Sequence, residues 1–484
     1  MESKSIYRLR SLDKLLGDFN ELERQTIFFA PFSELNDPME GSVDMLWHGD
    51  AIVWKNFLKH FLLCMEFKVS LGTLYRPEDS EKFYQHELSI MICEQELPTD
   101  LYRQHFDNIK KRFFSYEIVA LLIEYLSKKK YPIRKKQLSA ILSLISGYAL
   151  ESILYGHNEA NFQPQPFWEE LRNKIKNSNS EQLEVMTTHF KQINLSDNEE
   201  KALDIVWEKF SDVLQQTGLM SLCKLGDSVS KINWLYFSTD FIREYIEQVP
   251  QLVFRNWYSA SFLSEFPQNS VLWGHYANSH SGVCLIFKAH ETENQKDLSI
   301  PLKKTDEESE SGYTLRNYPL RNIIYSDKRE EPIEFFRRLW TLSGNIVHRE
   351  WYTDEEGKVS PDVGKFYPTE EMRKAHWSQL DRIQTIKSKD WSYEKECRIL
   401  IDDSFDNFSE QSKRAFVYDF SELQGIVFGM KTPVCDKVRI IRTIAQKCQE
   451  TSRTDFKFYQ ARYEEGSNIV TCDELKLLKF TKSE

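Results

Sequence analysis

Along this 484-residue chain the spacing of apolar positions changes rhythm twice. Near the start, IYRLRSL (Ile6–Leu12) and TIFFAPF (Thr26–Phe32) are short apolar runs flanking DKLLGDFNELERQ, which predicts two strands around a helical turn. SELNDPMEG follows, where Asn36-Asp37-Pro38 spells a tight corner: Asn and Asp bond their own backbone and Pro fixes φ. From Asp50 to about Thr217 the period lengthens. Segments such as AIVWKNFLKHFLLCMEF, DNIKKRFFSYEIVALLIEYL and DNEEKALDIVWEKFSDVLQQ place apolar residues at three- and four-residue intervals, as amphipathic helices do. Strand-like runs then return: WYSASF, GVCLIF, NIIYS, ECRILI, AFVYDF, GIVFG and FKFYQAR, interspersed with the predicted helices PIEFFRRLWTLSGNIVHREW and VCDKVRIIRTIAQKCQE. This pattern predicts an α+β protein with a mixed or antiparallel β-sheet core and a large all-helical insertion. Residues 1–49 and 218–484 would form the two parts of the core, and 50–217 the insertion. KKTDEESESGYTLRNYP (Lys303–Pro319) reads as an exposed acidic loop or flap.

Charge narrows the partners. With 63 basic and 74 acidic residues the formal net charge is −11, which argues against a general phosphate-backbone binder. One local basic patch, KKKYPIRKK, holds Lys128, Lys129, Lys130, Arg134, Lys135 and Lys136. It lies between helical runs with Pro132 inside it, so it reads as a solvated turn or as a contact for a protein or nucleic-acid partner. Eight scattered cysteines without a C-x-x-C pair, and no secretory leader, suggest a cytoplasmic protein with free thiols. The most apolar run, from Leu138, is short for a membrane span and interrupted by serines and Gly147, so no membrane is expected.

The chemistry concentrates in KSKDWSYEKECRIL, Lys387–Leu400. On extended backbone, Glu394, Glu396 and Arg398 would share one face, two carboxylates beside a guanidinium. A charged, solvated edge strand would look the same. A second dense stretch, Trp257–Phe287, holds Ser259, Ser261, Trp273, His275, Tyr276 and His280. His275 and His280 stand five apart, about 140° around a helix, without a third ligand nearby, so no metal is expected there. A nucleophile elbow, a Gly-x-Gly-x-x-Gly loop and a Walker-type loop are all missing, which weighs against serine hydrolases, Rossmann dinucleotide binding and P-loop phosphoryl transfer.

Several blocks carry a family resemblance: Tyr7-Arg8-x-Arg10; Leu35-Asn36-Asp37-Pro38-x-Glu40; Leu272-Trp273-x-His275-Tyr276-Ala277-x-x-His280-x-Gly282-Val283-Cys284; Trp391-x-Tyr393-Glu394-x-Glu396-x-Arg398; and Gly425-x-x-Phe428-Gly429. Their order resembles the bacterial domain-of-unknown-function family 2971, whose name implies no activity. More loosely, an arginine strand, a Ser-x-Ser strand with a following helix, and Glu-x-Glu at a strand start are similar to the R-S-E class of ADP-ribosyltransferases. Ser-Ala-Ser-Phe departs from that class's Ser-Thr-Ser.

That second resemblance implies an ADP-ribosyltransferase-like fold using NAD as substrate, without a metal. Arg8 or Arg10 would contact NAD, with His275 and Tyr276 as further cofactor contacts. Ser259 or Ser261 would support the catalytic glutamate, Glu396 would stabilise ribosyl oxocarbenium charge, and Glu394 would activate the acceptor. The acceptor would be a macromolecule or water, and such an enzyme suggests a toxin or phage-defence effector. The alternative is a non-catalytic regulatory module gripping protein or nucleic acid. The enzymatic reading requires Arg8 or Arg10, one of the serines and Glu396 to meet in one cleft.

Overall fold

The structure is a computed structural model that describes residues 3–74, 82–83, 86–160, 197–225, 234–292, 295–304, 315–365, 369–403, 408 and 410–480. The middle of the expected acidic loop, 305–314, lies outside the described residues. The chain divides into two compact units: a sheet unit of Met1–Ser42, Arg255–Glu330 and Ala375–Glu484, and a helical unit of Val43–Phe254 and Glu331–Lys374.

The sheet unit is a mixed α/β structure built on a large, mostly antiparallel sheet. Its central strands are β1 (Ser3–Arg10), β2 (Trp257–Leu263), β3 (Val283–Thr292), β4 (Glu396–Asp402), β5 (Leu423–Phe428), β6 (Lys457–Tyr463) and β7 (Val470–Glu474). They lie in the order β4-β2-β1-β3-β5-β6-β7, and only the β5–β6 pairing among them is parallel. Register fixes the faces, because residues directly opposite one another in a ladder point to the same side. Tyr7 stands opposite Leu263 and Ile286, Leu263 opposite Glu396, and Ser261 opposite Arg398. One face therefore carries Tyr7, Leu9, Ser259, Ser261, Leu263, Glu396 and Arg398. The other carries Ile6, Arg8, Arg10, Phe262, Cys397 and Ile399.

Each face has its own core. On the first, Leu9, Leu263, Cys284 and Val427 pack with Leu272, Trp273 and Ala277 from the helix Ser270–Tyr276. On the second, Ile6, Phe262, Phe287 and Ile399 pack with Leu15 and Leu16, and with Ile440, Ile444 and Cys448 of the helix Val434–Glu450. Burial on both sides explains why β3 and β5 read as nearly continuous apolar runs rather than alternating ones.

The helical unit is organised on Ala51–Leu74 and Lys135–Glu159. Trp54, Phe57, Phe61, Tyr245, Phe335, Phe336 and Trp351 interlock there, many edge-to-face, the preferred aromatic geometry. His60 is buried between the Tyr245 hydroxyl (2.8 Å) and the Met91 carbonyl (2.7 Å). Burial holds its imidazole down at about 4, so it is a neutral structural residue. Lys135–Glu159 is long and apolar enough to cross a membrane by length and composition, but 67% of its apolar window is buried, as befits a core helix.

Three details depart from the sequence pattern. The helical unit extends to Phe254 and takes in 331–374, because the aromatic segment beginning at Pro332 packs into the helical core. That segment is not one helix but Ile333–Glu334 strand, Phe335–Arg338 helix, a 3₁₀ turn and Gly344–Trp351. DNIKKRFFSYEIVALLIEYL is likewise split, into Asp100–Phe114 and Glu117–Lys128 around Ser115-Tyr116.

Candidate functional site: a buried ionic cluster on one sheet face

Glu394 does not share an extended strand with Glu396. Lys389–Glu394 is a 3₁₀ turn opened by Ser388, and Lys395 takes a left-handed conformation (φ 48°) before β4 begins at Glu396. The turn is pinned where the Ser264 amide and hydroxyl both donate to the Lys395 carbonyl at 2.9 Å. The two carboxylates nevertheless meet, through a third residue. Ile324–Tyr325 pairs with Ile386–Lys387, setting Tyr325 opposite Lys387 and aiming the lysine between the glutamates. Lys387 Nζ donates to Glu394 Oε2 at 2.7 Å and to Glu396 Oε2 at 3.2 Å, and lies 3.0 Å from Glu40 Oε1.

Arg398 completes the cluster. Its Nε (3.0 Å) and Nη2 (2.7 Å) fork onto the Glu396 carboxylate, Nη2 reaches Glu40 Oε2 at 2.6 Å, and Nη1 donates to the Gln384 carbonyl at 3.3 Å. The bidentate fork is the strong form of a carboxylate pair. Tyr276 donates its hydroxyl to Glu394 Oε1 at 2.5 Å, the Glu396 amide donates to the Tyr325 hydroxyl at 2.8 Å, and Ser261 bonds the Glu396 carboxylate. Glu40, Lys387, Glu394, Glu396 and Arg398 are all buried, yet three carboxylates face two cations.

Their environments push the two neighbouring glutamates apart. Burial disfavours charge on both. At Glu396, Arg398 and Lys387 overcome it and hold the carboxyl down at about 2, whereas at Glu394 burial prevails over Lys387 and raises it. Burial alone would lower Lys387, but Glu396, Glu40 and Glu394 reverse that and keep it firmly protonated.

The cluster opens to solvent at Ser261, which is exposed, and at half-buried Tyr276. His275 is exposed and its ring lies 6.2 Å from Trp391, whose face in turn covers Lys387 Nζ at 4.7 Å. Asn36 bonds Tyr276, and Asp37 caps its own turn by accepting from the Met39 amide at 2.9 Å, which delivers Glu40 to the cations. Gly282 and Gly429 hold the turn after the Tyr276 helix against β5. A Cβ at Gly282 would stand 2.2 Å from the Arg10 carbonyl and one at Gly429 2.3 Å from that of His280. Beside the cluster, on the same face, is a cavity of about 440 Å³ lined by Trp257, Arg321, Trp377, Asp381, Gln384 and Leu400.

Of the expected site residues, Glu394, Glu396, Ser261 and Tyr276 come together, with His275 at the rim. Ser259 is buried two residues along β2, its hydroxyl without a hydrogen-bond partner among the described residues. Arg8 and Arg10 do not join them: they project from the opposite face. Arg8 donates to the Phe28 carbonyl at 3.1 Å and lies over the Phe262 ring, and Arg10 pairs with Glu21. The expected convergence of an N-terminal arginine with Glu396 is therefore not made, because a strand's pleat sends Tyr7 and Arg8 to opposite sides. Glu40 and Lys387 also belong to the site, and both stand inside the motif-bearing segments Leu35–Glu40 and Lys387–Leu400 without a pattern that singles them out. Their signal was a buried charge balance that two glutamates and one arginine left open.

The basic patch is largely spent within the helical unit. Lys129 is buried against Glu200 and Asp204, Lys128 pairs with Glu124, Lys135 with Glu247 and Lys136 with Asp212, while Arg134 caps a helix.

No curated protein and no solved structure matches the chain. A family model does match, over residues 272–399, a segment that holds Tyr276, Tyr325, Lys387, Glu394, Glu396 and Arg398 but neither Asn36 nor Glu40. That segment matches the family described as Protein of unknown function (DUF2971), the resemblance its motifs led one to expect.

Proposed function

We propose that the cluster face is the active site of an ADP-ribosyltransferase-like enzyme that breaks the nicotinamide–ribose bond of NAD. The observation that carries this reading is that Glu396 is shared between a solvent-facing serine, Ser261, and a cation pair, with a second glutamate of opposite pKa shift beside it. Pairs of carboxyl groups driven apart by environment are how one site supplies both a fixed negative charge and a proton acceptor. The neighbouring positions of β4 and β2 also fit a glutamate strand beside a serine strand, whereas the arginines of β1 lie on the other face.

In this mechanism the C1′–N bond breaks and its electron pair leaves with nicotinamide. Glu396, ionised at neutral pH, stabilises the oxocarbenium charge on the ribose. Glu394, held above its ordinary value and hydrogen-bonded to Tyr276, accepts the proton of the incoming nucleophile, a macromolecular hydroxyl, thiol or amide, or water, as the new bond to C1′ forms. His275 and Trp391 form an aromatic rim for a base. Arg321, which lines the adjoining cavity, takes the pyrophosphate-binding role expected of Arg8 or Arg10. Free cysteines suit a cytoplasmic protein, where NAD is at hand. The partner would be the acceptor, and an NAD-consuming activity of this kind would suit a toxin or phage-defence effector.

One observation favours a second reading, a non-catalytic binding module: every charge of the cluster already has a buried partner. Nicotinamide release from labelled NAD, followed with and without cell lysate, separates the two. Turnover by wild type and its loss in Glu396→Gln supports the enzyme. Equal blanks from folded wild type and variant, with NAD binding undetected, leave the cluster as a structural ion network.

A further inference from the structure

The helical unit contains a second polar cluster that the proposed reaction does not use. Glu66 on Ala51–Leu74, His105 on Asp100–Phe114 and His157 on Lys135–Glu159 are all buried, and one donor atom from each lies within 4.8 Å of the others. His157 Nε2 lies 3.0 and 3.1 Å from the two Glu66 oxygens, and the His105 and His157 rings are 5.3 Å apart at 38°. The Ser70 hydroxyl donates to Glu66 Oε1 at 2.9 Å, the kind of outer hydrogen bond that orients a ligating carboxylate.

We infer that Glu66, His105 and His157 bind one divalent transition-metal ion of the zinc class, tying three helices of this unit together. Two imidazoles and a carboxylate are a donor set such ions favour, and three protein ligands leave one position for water. Ligand bonds of about 2.0–2.2 Å require donor atoms roughly 3.4 Å apart in a tetrahedral site. The His157–Glu66 pair is already slightly inside that spacing, and only His105 must draw in. The backbone is built for the approach: a Cβ on Gly156 would stand 3.1 Å from His105 Cε1 and 2.5 Å from Ile109 Cγ1, so glycine at 156 is what lets these helices bring the two rings together.

The test uses the full chain, stripped of metal by chelation and then titrated with Co²⁺ and Zn²⁺. Wild type is expected to bind one equivalent of Co²⁺ with the intense visible d–d absorption of a four-coordinate site, to lose that band when Zn²⁺ is added, and to melt at a higher temperature with Zn²⁺ bound. His105→Gln and His157→Gln should each weaken Zn²⁺ binding at least ten-fold. Absence of the cobalt band in wild type at millimolar Co²⁺ overturns the site, whatever the variants do. So does equal Zn²⁺ affinity in wild type and the double variant. The readout is independent of NAD turnover, so it stands or falls apart from the proposed reaction.

Discussion

Two charged groups occupy opposite faces of one sheet and are built on different principles. On the Glu396 face, five buried ionic side chains cross-pair, each cation shared among several carboxylates. On the Arg8 face, Arg10 is satisfied by Glu21, but Arg8 is buried with a carbonyl and an aromatic ring as its close partners, and burial pulls it down to about 9. Removing a cation from the first cluster leaves buried carboxylates uncompensated. The second buries one charge more than its carboxylate compensates. The same residue type, an arginine on a central strand, therefore has opposite prospects on the two faces.

The sharpest break in this comparison is Arg398→Leu. It strands Glu40 and Glu396 without their guanidinium, and a loss of about 3–5 kcal/mol is expected in urea unfolding. Glu396→Gln follows, at about 3 kcal/mol at pH 7, since its carboxyl is held down at about 2 from an ordinary 4.5. The sign is fixed: a depressed acid stabilises above its unfolded value and loses that contribution as pH falls from 4.5 toward 2. Wild-type stability should drop across that window by an increment that the glutamine variant lacks. Arg8→Met, by contrast, should stay within about 1 kcal/mol of wild type, because an apolar chain of similar length replaces a buried charge without a close carboxylate. Smallest is Glu394→Gln, at below about 1 kcal/mol near neutrality. Its raised carboxyl contributes stability below 4.5 and loses it as pH rises through the folded value. The variant should therefore gain on wild type as pH rises above 4.5, as thermal melts at increasing pH would register.

Periodicity made the sheet strands and the apolar helices legible, because burial on one or both faces leaves a regular trace. VCDKVRIIRTIAQKCQE coincides with the helix Val434–Glu450, and ECRILI with β4. What periodicity could not carry was the face each charged strand residue would take once its neighbours were assigned. Arg8 and Arg10 alternate correctly, but only the pairing of Tyr7 with Leu263 reveals that they point away from Glu396. Glu394 was placed beside Glu396 for a reason that fails at Lys395, whose left-handed backbone has no sequence signature as plain as glycine. Lys387, only 9 residues from Glu396, is aimed into the site by the pairing of Ile386–Lys387 with Ile324–Tyr325, and Glu40 reaches it from 358 residues before its partner Arg398, a separation that pattern reading does not span. The Glu66–His105–His157 group escaped for the same reason, with one donor on each of three helices.

The central claim is that chemistry resides on the Glu396 face and not with the N-terminal arginines. It is tested most directly by nicotinamide release from NAD by wild type, Arg8→Met and Glu396→Gln, each first shown to be folded by circular dichroism. Retention of turnover in Arg8→Met, with at least a hundred-fold loss in Glu396→Gln, is the predicted result. Turnover that survives Glu396→Gln and disappears in Arg8→Met would contradict it, and would move the site to the other side of the sheet.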